Sequence, residues 1–222
     1  MKVLYITNIP SPYRMGFFNE LGKLCDLTVL VETVTVSHLN QDWLSRSEVG
    51  NFYFHCLPSL YENKEIRLNY GLALWLKRNR YDIVVLGGYS TFTGMLASIV
   101  MRLKGISYIL NADGGFKGEN NGAKEKLKRF FISGASYWLS SGLITNNYLE
   151  QYGAAPQRIF NYPFTSLKRI DLFDTPASEQ EKQLLRSQLG INSRIVVLSV
   201  GRFIYGKGFD VLIKAWAKAD FP

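Results

Sequence analysis

The sequence holds only two cysteines, Cys25 and Cys56, and two histidines, His38 and His55, in 222 residues. Two thiols in so long a chain cannot build the disulfide framework of a small secreted domain, and neither residue type recurs at metal-ligand spacing. No metal site is therefore expected, and both cysteines read as reduced core residues of a cytoplasmic protein. Long apolar runs are missing as well. The longest, Met95 to Met101, contains Ser98 and falls far short of the roughly 18 residues that cross a bilayer. Only Lys2 precedes the first apolar stretch, which breaks at Thr7–Asn8, so a secretory hydrophobic region is lacking and export is not expected. No low-complexity tract or repeat of solenoid period is present.

What remains is ordinary globular usage, 47% hydrophobic and 20% charged, which excludes a disordered, collagenous or coiled-coil chain. At roughly 100–200 residues per domain, the length supports one domain and part of another, or one large α/β domain. Lys and Arg number 26 against 18 acidic residues, giving +8 and an isoelectric point near 9.4. That balance suits an anionic partner: nucleic acid, an acidic membrane surface or a phosphorylated small molecule. The 14% aromatic content comes without helix-turn-helix spacing or a single-strand stacking module, so nucleic acid is set aside.

Lys2–Thr7 is a short run of β-branched and aromatic residues ending in the loop Asn8-Ile9-Pro10-Ser11-Pro12, and Phe17, Phe18, Leu21 and Leu24 then recur at helical spacing. The alternation continues with strands Leu27–Val31 and Phe52–Leu57, helix Ile66–Arg80, strand Asp82–Leu86, helix Phe92–Leu103, strand Ile106–Asn111, helix Ala123–Leu139 and strand Gly142–Asn146. Apolar strands separated by helices predict a Rossmann-like, doubly wound parallel sheet of the α/β class, covered on both faces. Such sheets bind ligands outside the carboxyl ends of their strands. Asn8–Arg14, Gly87–Ser90, Asn111–Gly115 and Asn146–Asn147 are then expected to converge on one crevice. His55 alternates within its strand and reads as packed or capped, not as a metal ligand.

Asp171–Ser178 reads as a boundary segment, which divides the chain into residues 1–175 and 176–222. Helix Glu179–Leu189 stops at Gly190, and apolar strand Ile195–Val200 leads through Gly201–Gly208 into helix Phe209–Ala219. One β-loop-α unit has no sheet of its own. In the loop, glycines let the backbone turn closely after the strand, while Arg202 and Lys207 bring two cations to its carboxyl end. Arg can grip two phosphate oxygens and Lys acts as a point charge, so a diphosphate is a natural guest. The spacing is neither the P-loop, since Lys207 is followed by Gly208, nor GxGxxG. The bland reading is a solvated turn.

Ile195–Ala215 (IVVLSVGRFIYGKGFDVLIKA) resembles the first strand, loop and helix of the donor domain of retaining, GT-B fold glycosyltransferases of family 4. Val3–Leu21 (VLYITNIPSPYRMGFFNEL) is similar to that family's N-terminal strand, loop and helix, and Ile106–Gly114 (ISYILNADG) takes the place of an acceptor-side strand and loop. The resemblance implies a GT-B N-terminal domain followed by the first β-loop-α unit of the nucleotide-sugar domain. It also implies sugar transfer from a nucleotide-diphosphate sugar to a glycan or lipid-linked acceptor, with no separate cofactor. By the same resemblance Arg202 and Lys207 bind the donor diphosphate. The family's glycine pair at the start of the first helix is here Met15 and Gly16, and backbone approach to phosphate is expected at Gly16. Arg14, beside it, is either a further cation for that anion or a surface arginine.

Many family members carry histidine where this sequence has Asp113. Asp113 either orients the acceptor hydroxyl and meets transition-state charge as the catalytic residue, or caps an Asx turn. The family's glutamate pair lies beyond Pro222, so the 222 residues are expected to be inactive without a downstream donor half. Lys117–Arg129 carries a net charge of +3 and leads into Phe130-Phe131. Such a segment suits peripheral contact with an anionic membrane presenting a lipid-linked acceptor, or is simply a solvated face. The alternative to an enzyme is a non-catalytic anion-binding or interaction domain of the same class.

Overall fold

The computed structural model of the chain describes residues 1–34, 50–59, 61–62, 67–69, 71–115, 122–162, 167 and 169–219. It divides into two units, Met1–Leu172 and Phe173–Pro222. In chain order the first unit contains β1 (Lys2–Thr7), α1 (Pro12–Gly22), β2 (Asp26–Val31), β3 (Tyr53–Cys56), β4 (Tyr61–Glu62), β5 (Arg67–Leu68), α2 (Gly71–Arg78), β6 (Ile83–Leu86), α3 (Phe92–Leu103), β7 (Ile109–Ala112), α4 (Ala123–Ile132), β8 (Tyr137–Ser140), α5 (Leu143–Gln151) and β9 (Ile159–Asn161).

Seven strands pair in parallel in the order β3-β2-β1-β6-β7-β8-β9, and β4 and β5 form a separate antiparallel pair. The chain starts mid-sheet, winds outward to β3, then crosses over β1 and winds the other way. This is the doubly wound, Rossmann-like α/β sheet that the strand–helix alternation predicts. β1 shows why its sequence is apolar throughout: Leu4 and Ile6 face one core with Leu72, Ala97, Met101 and Leu149, while Val3 and Tyr5 face another with Met15, Phe18 and Phe52. A strand buried on both faces has no polar register to show. Buried Asn69 locks the carboxyl ends. Its amide donates to the carbonyls of Glu32, Leu57 (2.9 Å) and Pro58, and its carbonyl accepts from Thr93 in α3 (2.7 Å).

Several elements depart from the sequence reading. The helix expected over Ala123–Leu139 ends at Ile132, Trp138 lies in β8, and Gly142–Asn146 opens α5 instead of forming a strand. Phe130–Leu139 is apolar enough for either state, and tertiary contacts decide. Ser136 N–H donates to the Tyr108 carbonyl (3.0 Å) and the Trp138 indole N–H to that of Ile132 (2.9 Å), which turns the chain back beside β7. Asn146 therefore sits in a helix, not at a strand end. The strand expected from Ile106 begins at Ile109, and three-residue β9 is too short for periodicity to reveal. Cys25 is half-buried and Cys56 exposed on edge strand β3, so neither is a fully buried core residue, and neither is in a disulfide: the Cys25 thiol donates to the Leu21 carbonyl and that of Cys56 to the Leu57 carbonyl. The His55 ring packs on Trp75 with centroids 4.7 Å apart. His38 and residues 117–121 of the basic segment lie outside the described residues.

The second unit contains α6 (Glu179–Gln188) and α7 (Phe209–Lys218). A reciprocal capping box between Ser178 and Glu181 starts α6. Gly190, at φ 66°, ends it: its N–H donates to the Ser187 carbonyl and that of Ile191 to the Arg186 carbonyl, so two carbonyls of the last turn are satisfied. Ile195–Val200 is not a strand, because no strand among the described residues pairs with it, and its apolar side chains are exposed. Among the described residues no helix is long and apolar enough to cross a membrane.

Candidate functional site

At the carboxyl edge of the sheet, on the α1 side, the structure joins residues far apart in sequence. Pro12 starts α1 with its φ preset for the first helical turn, and Arg14 is carried in that turn back over the end of β1. One arm of its guanidinium donates to the Tyr5 hydroxyl (2.9 Å) and the other meets the Asp113 carboxylate, just after β7. Asp113 also accepts from the Asn111 amide (2.9 Å) and the Tyr162 hydroxyl (2.8 Å). Tyr162 follows β9 and its ring leans on Phe17 of α1, centroids 6.3 Å apart. The constellation thus bridges over the ends of β6 and β8. Gly87, after β6, makes room beside it: a Cβ there would lie 2.9 Å from the Ile6 carbonyl oxygen and 3.1 Å from the Tyr5 ring.

Exposure is distributed unevenly across the pair. The Arg14 side chain is 7% exposed and that of Asp113 52%. Burial works against the Arg14 charge, but its neighbours Tyr5, Asp113 and Tyr162 outweigh that and hold its pKa above the ordinary arginine value. Burial pushes the Tyr5 phenol up, and burial with the bond to Asp113 pushes that of Tyr162 up to about 12. Both phenols are neutral at ordinary pH, Tyr5 accepting from Arg14 and Tyr162 donating to Asp113.

Sequence reasoning named Arg14, Gly16 and Asp113, and the structure joins two of the three. It gives Arg14 a buried setting, paired with Asp113, in place of a surface position. Gly16 is half-buried in α1. Regular helix bonding has begun by Met15, whose N–H donates to Ser11 (2.9 Å), so Gly16 lies past the open first turn of the helix. Asn111 was expected at this site only as the start of the loop Asn111–Gly115, and Tyr5 and Tyr162 were not expected as site residues. Tyr162 carries a faint signal, standing just before Pro163 where the strand–helix pattern stops, and the other two look like ordinary strand residues.

Next to this constellation, at the switch point between β1 and β6, is a crevice of about 30 Å³ lined by residues including Thr7, Asn8, Glu32, Ser90 and Thr91. It has room for a water molecule. Thr91 serves two neighbours: its hydroxyl caps α3 by accepting from Gly94 N–H (3.0 Å) and donates to Glu32.

Arg202 and Lys207 belong to the second unit. Tyr205–Lys207 forms one 3₁₀ turn, Gly208 at φ 68° starts α7, and the rings of Phe203 and Phe209 stack at 4.4 Å across the loop. Left-handed backbone at Gly208 accounts for the glycine there. Both cations are exposed, and neither side chain has a hydrogen bond or ion pair among the described residues. Asp210 in the first turn of α7 faces Lys214 (3.8 Å), so the loop owes its positive charge to Arg202 and Lys207 more than to the helix end.

No protein-family model matches the chain, and no curated protein matches it. Among solved structures it is similar to HepE of Anabaena, crystallised with UDP-glucose, at a TM-score of 0.67 and 15% identity over 99% of this chain. It spans 58% of the length of HepE. A UDP-N-acetylglucosamine 2-epimerase is similar at a TM-score of 0.57 and 13% identity, over 97% of this chain and 66% of the epimerase. The UDP-GlcNAc 2-epimerase of Neisseria meningitidis, bound to UDP-GlcNAc, aligns at 0.52 and 16% identity, over 72% of this chain and 45% of its own. At such identities the likeness is one of fold.

Proposed function

We propose that this chain is the acceptor-side domain and first donor-side loop of a GT-B glycosyltransferase resembling family 4. The enzyme would move a sugar from a nucleotide-diphosphate donor to a glycan or lipid-linked acceptor, with retention, in surface polysaccharide or glycolipid synthesis. One observation supports this most: the chain shares its fold with UDP-glucose-bound HepE over 99% of its length, and its loop Gly201–Gly208 carries two cations without a side-chain partner among the described residues. In the reaction the bond from the anomeric carbon to the diphosphate oxygen breaks, a bond to the acceptor oxygen forms, and the proton of the acceptor hydroxyl passes to the departing diphosphate oxygen. Charge builds on the departing diphosphate. Arg202 and Lys207 are assigned to meet it, which needs fixed positive charge and no proton transfer by either residue.

The test is made on the longest protein that contains these residues. UDP-, GDP- and ADP-sugars are first compared by thermal shift, and turnover is then followed as nucleoside diphosphate released in the presence of acceptor. Arg202→Ala and Lys207→Ala should each cost about 2–4 kcal/mol of transition-state stabilisation while leaving the unfolding temperature nearly unchanged. Near-normal turnover in both, at saturating and at limiting donor, would overturn the assignment. Similarity to a 2-epimerase over 97% of the chain favours a second reading, epimerisation of the nucleotide sugar. Inversion at the sugar without release of nucleoside diphosphate would identify it. Binding without any turnover would point to a non-catalytic domain.

A further inference from the structure

From the Asp113 constellation we infer a subsite for the hydroxyl groups of a neutral sugar, in which Arg14, Tyr162 and Asn111 position the carboxylate and none of them takes phosphate. The identity of the ligand class rests on the sugar-transfer reading above. The polarity of the subsite rests on its own geometry.

Arg14 and Asp113 cancel in charge, and it is the anion that faces solvent while the cation is buried. An approaching diphosphate therefore meets a carboxylate first. Of the four lone-pair positions of that carboxylate, Oδ1 uses two on Asn111 and Tyr162 and Oδ2 uses one on Arg14. One acceptor position on Oδ2 is left. The Asn111 amide serves both Asp113 and Tyr162, and its carbonyl oxygen is closed off from solvent, so its part is to hold the carboxylate and the phenol in place. The open Oδ2 position faces solvent and takes a hydrogen-bond donor. Sugar hydroxyls donate, whereas a diphosphate offers only acceptors. The position, outside the carboxyl end of β7, is where doubly wound sheets receive ligands.

Arg14 and Tyr162 approach Asp113 from two different elements, α1 and the end of β9, and so fix the rotation of its carboxyl group. Both are positioning residues. A single hydroxyl bond held in one direction distinguishes an axial from an equatorial hydroxyl, which makes Tyr162 a determinant of which sugar is accepted.

The full chain is titrated with inorganic pyrophosphate, with UDP, and with glucose, galactose, mannose and N-acetylglucosamine, the sugars being followed by ligand-observed NMR. Tyr162→Phe keeps the ring on Phe17 and removes only the hydroxyl. It should weaken binding of the preferred sugar about three- to tenfold, the scale of one hydrogen bond, and flatten the preference among the four sugars. Pyrophosphate and UDP affinities should stay within about twofold in Tyr162→Phe and Arg14→Gln. Asp113→Asn should abolish the sugar signal. Because it strands the buried Arg14 charge, it is compared with Tyr162→Phe at matched foldedness by circular dichroism.

Loss of pyrophosphate binding in Arg14→Gln would make Arg14 a phosphate contact and overturn the inference. So would sugar binding indifferent to Tyr162→Phe, or no sugar signal from the unmodified chain. If the unmodified chain binds a sugar in this way but takes neither UDP nor pyrophosphate, the nucleotide-sugar reading falls and the subsite stands.

Discussion

Gly115 shows how one side chain's absence shapes the site. A Cβ built on it would lie 2.4 Å from the Tyr148 ring, closer than any real contact. That ring cannot swing aside, because its hydroxyl is bonded to Tyr89 (2.8 Å) and its face is packed by Tyr152 at 4.9 Å. Gly115 is thus required by close approach, and the loop that holds Asp113 is pinned to α5 through it. Gly115→Ala should destabilise the protein by about 1–3 kcal/mol, the scale of overpacking a filled core, as read from urea unfolding. It should also lower activity by displacing Asp113. Unchanged stability would mean that the loop sits off Tyr148.

Helix α4 carries the described part of the basic segment, and its charges are not equivalent. Lys128 pairs with Glu125 (2.8 Å) and lies over the Tyr152 ring, while Arg129 donates to the Gln151 carbonyl (2.9 Å). These two bind α4 to α5. Lys124 and Lys126 are exposed and have no ion pair with another side chain among the described residues, and Leu127 and Phe130 are exposed beside them. If α4 meets an anionic membrane, Lys124→Gln with Lys126→Gln should weaken sedimentation with phosphatidylserine vesicles by about 1 kcal/mol per lysine, and salt should abolish the difference. Lys128→Gln should instead lower stability. Vesicle binding that ignores both salt and the double substitution would leave the segment a solvated face.

Across the whole molecule, the neutral phenols make stability sensitive to alkali. Tyr5, Tyr89, Tyr108 and Tyr162 all lie above the ordinary tyrosine value of 10.0, with burial the leading cause in each. A raised folded pKa favours the protonated form in the native state. The contribution is whole below pH 10 and is lost as pH rises, because the unfolded chain ionises first; for Tyr162 the window runs from 10 to about 12. Part of the tyrosinate absorbance should therefore appear only together with loss of circular dichroism, and Tyr162→Phe should make the decline of stability over that window shallower. If all 13 tyrosines ionise near pH 10 in the folded protein, the burial of these phenols is wrong.

By itself the sequence determined what short-range physics controls. The apolar run Lys2–Thr7 specifies a buried strand, and Ser178 with Glu181 and Gly190 bounds α6 through bonds spanning only a few residues, whereas α1 next to the strand has no clean apolar face and leaves Leu24, expected on it, exposed beyond its end. Tertiary structure decided the rest. Trp138 became a strand residue because β7 was there to pair with it, whereas Ile195–Val200, equally apolar, found no ladder and stayed unpaired. Arg14 and Asp113 are 99 positions apart and Tyr162 a further 49, so no local pattern relates them. Hydrophobic period and capping act within a turn or a strand. A charge pair depends on which loops the winding of the sheet brings to the same edge, and that is settled only when all the strands are in place.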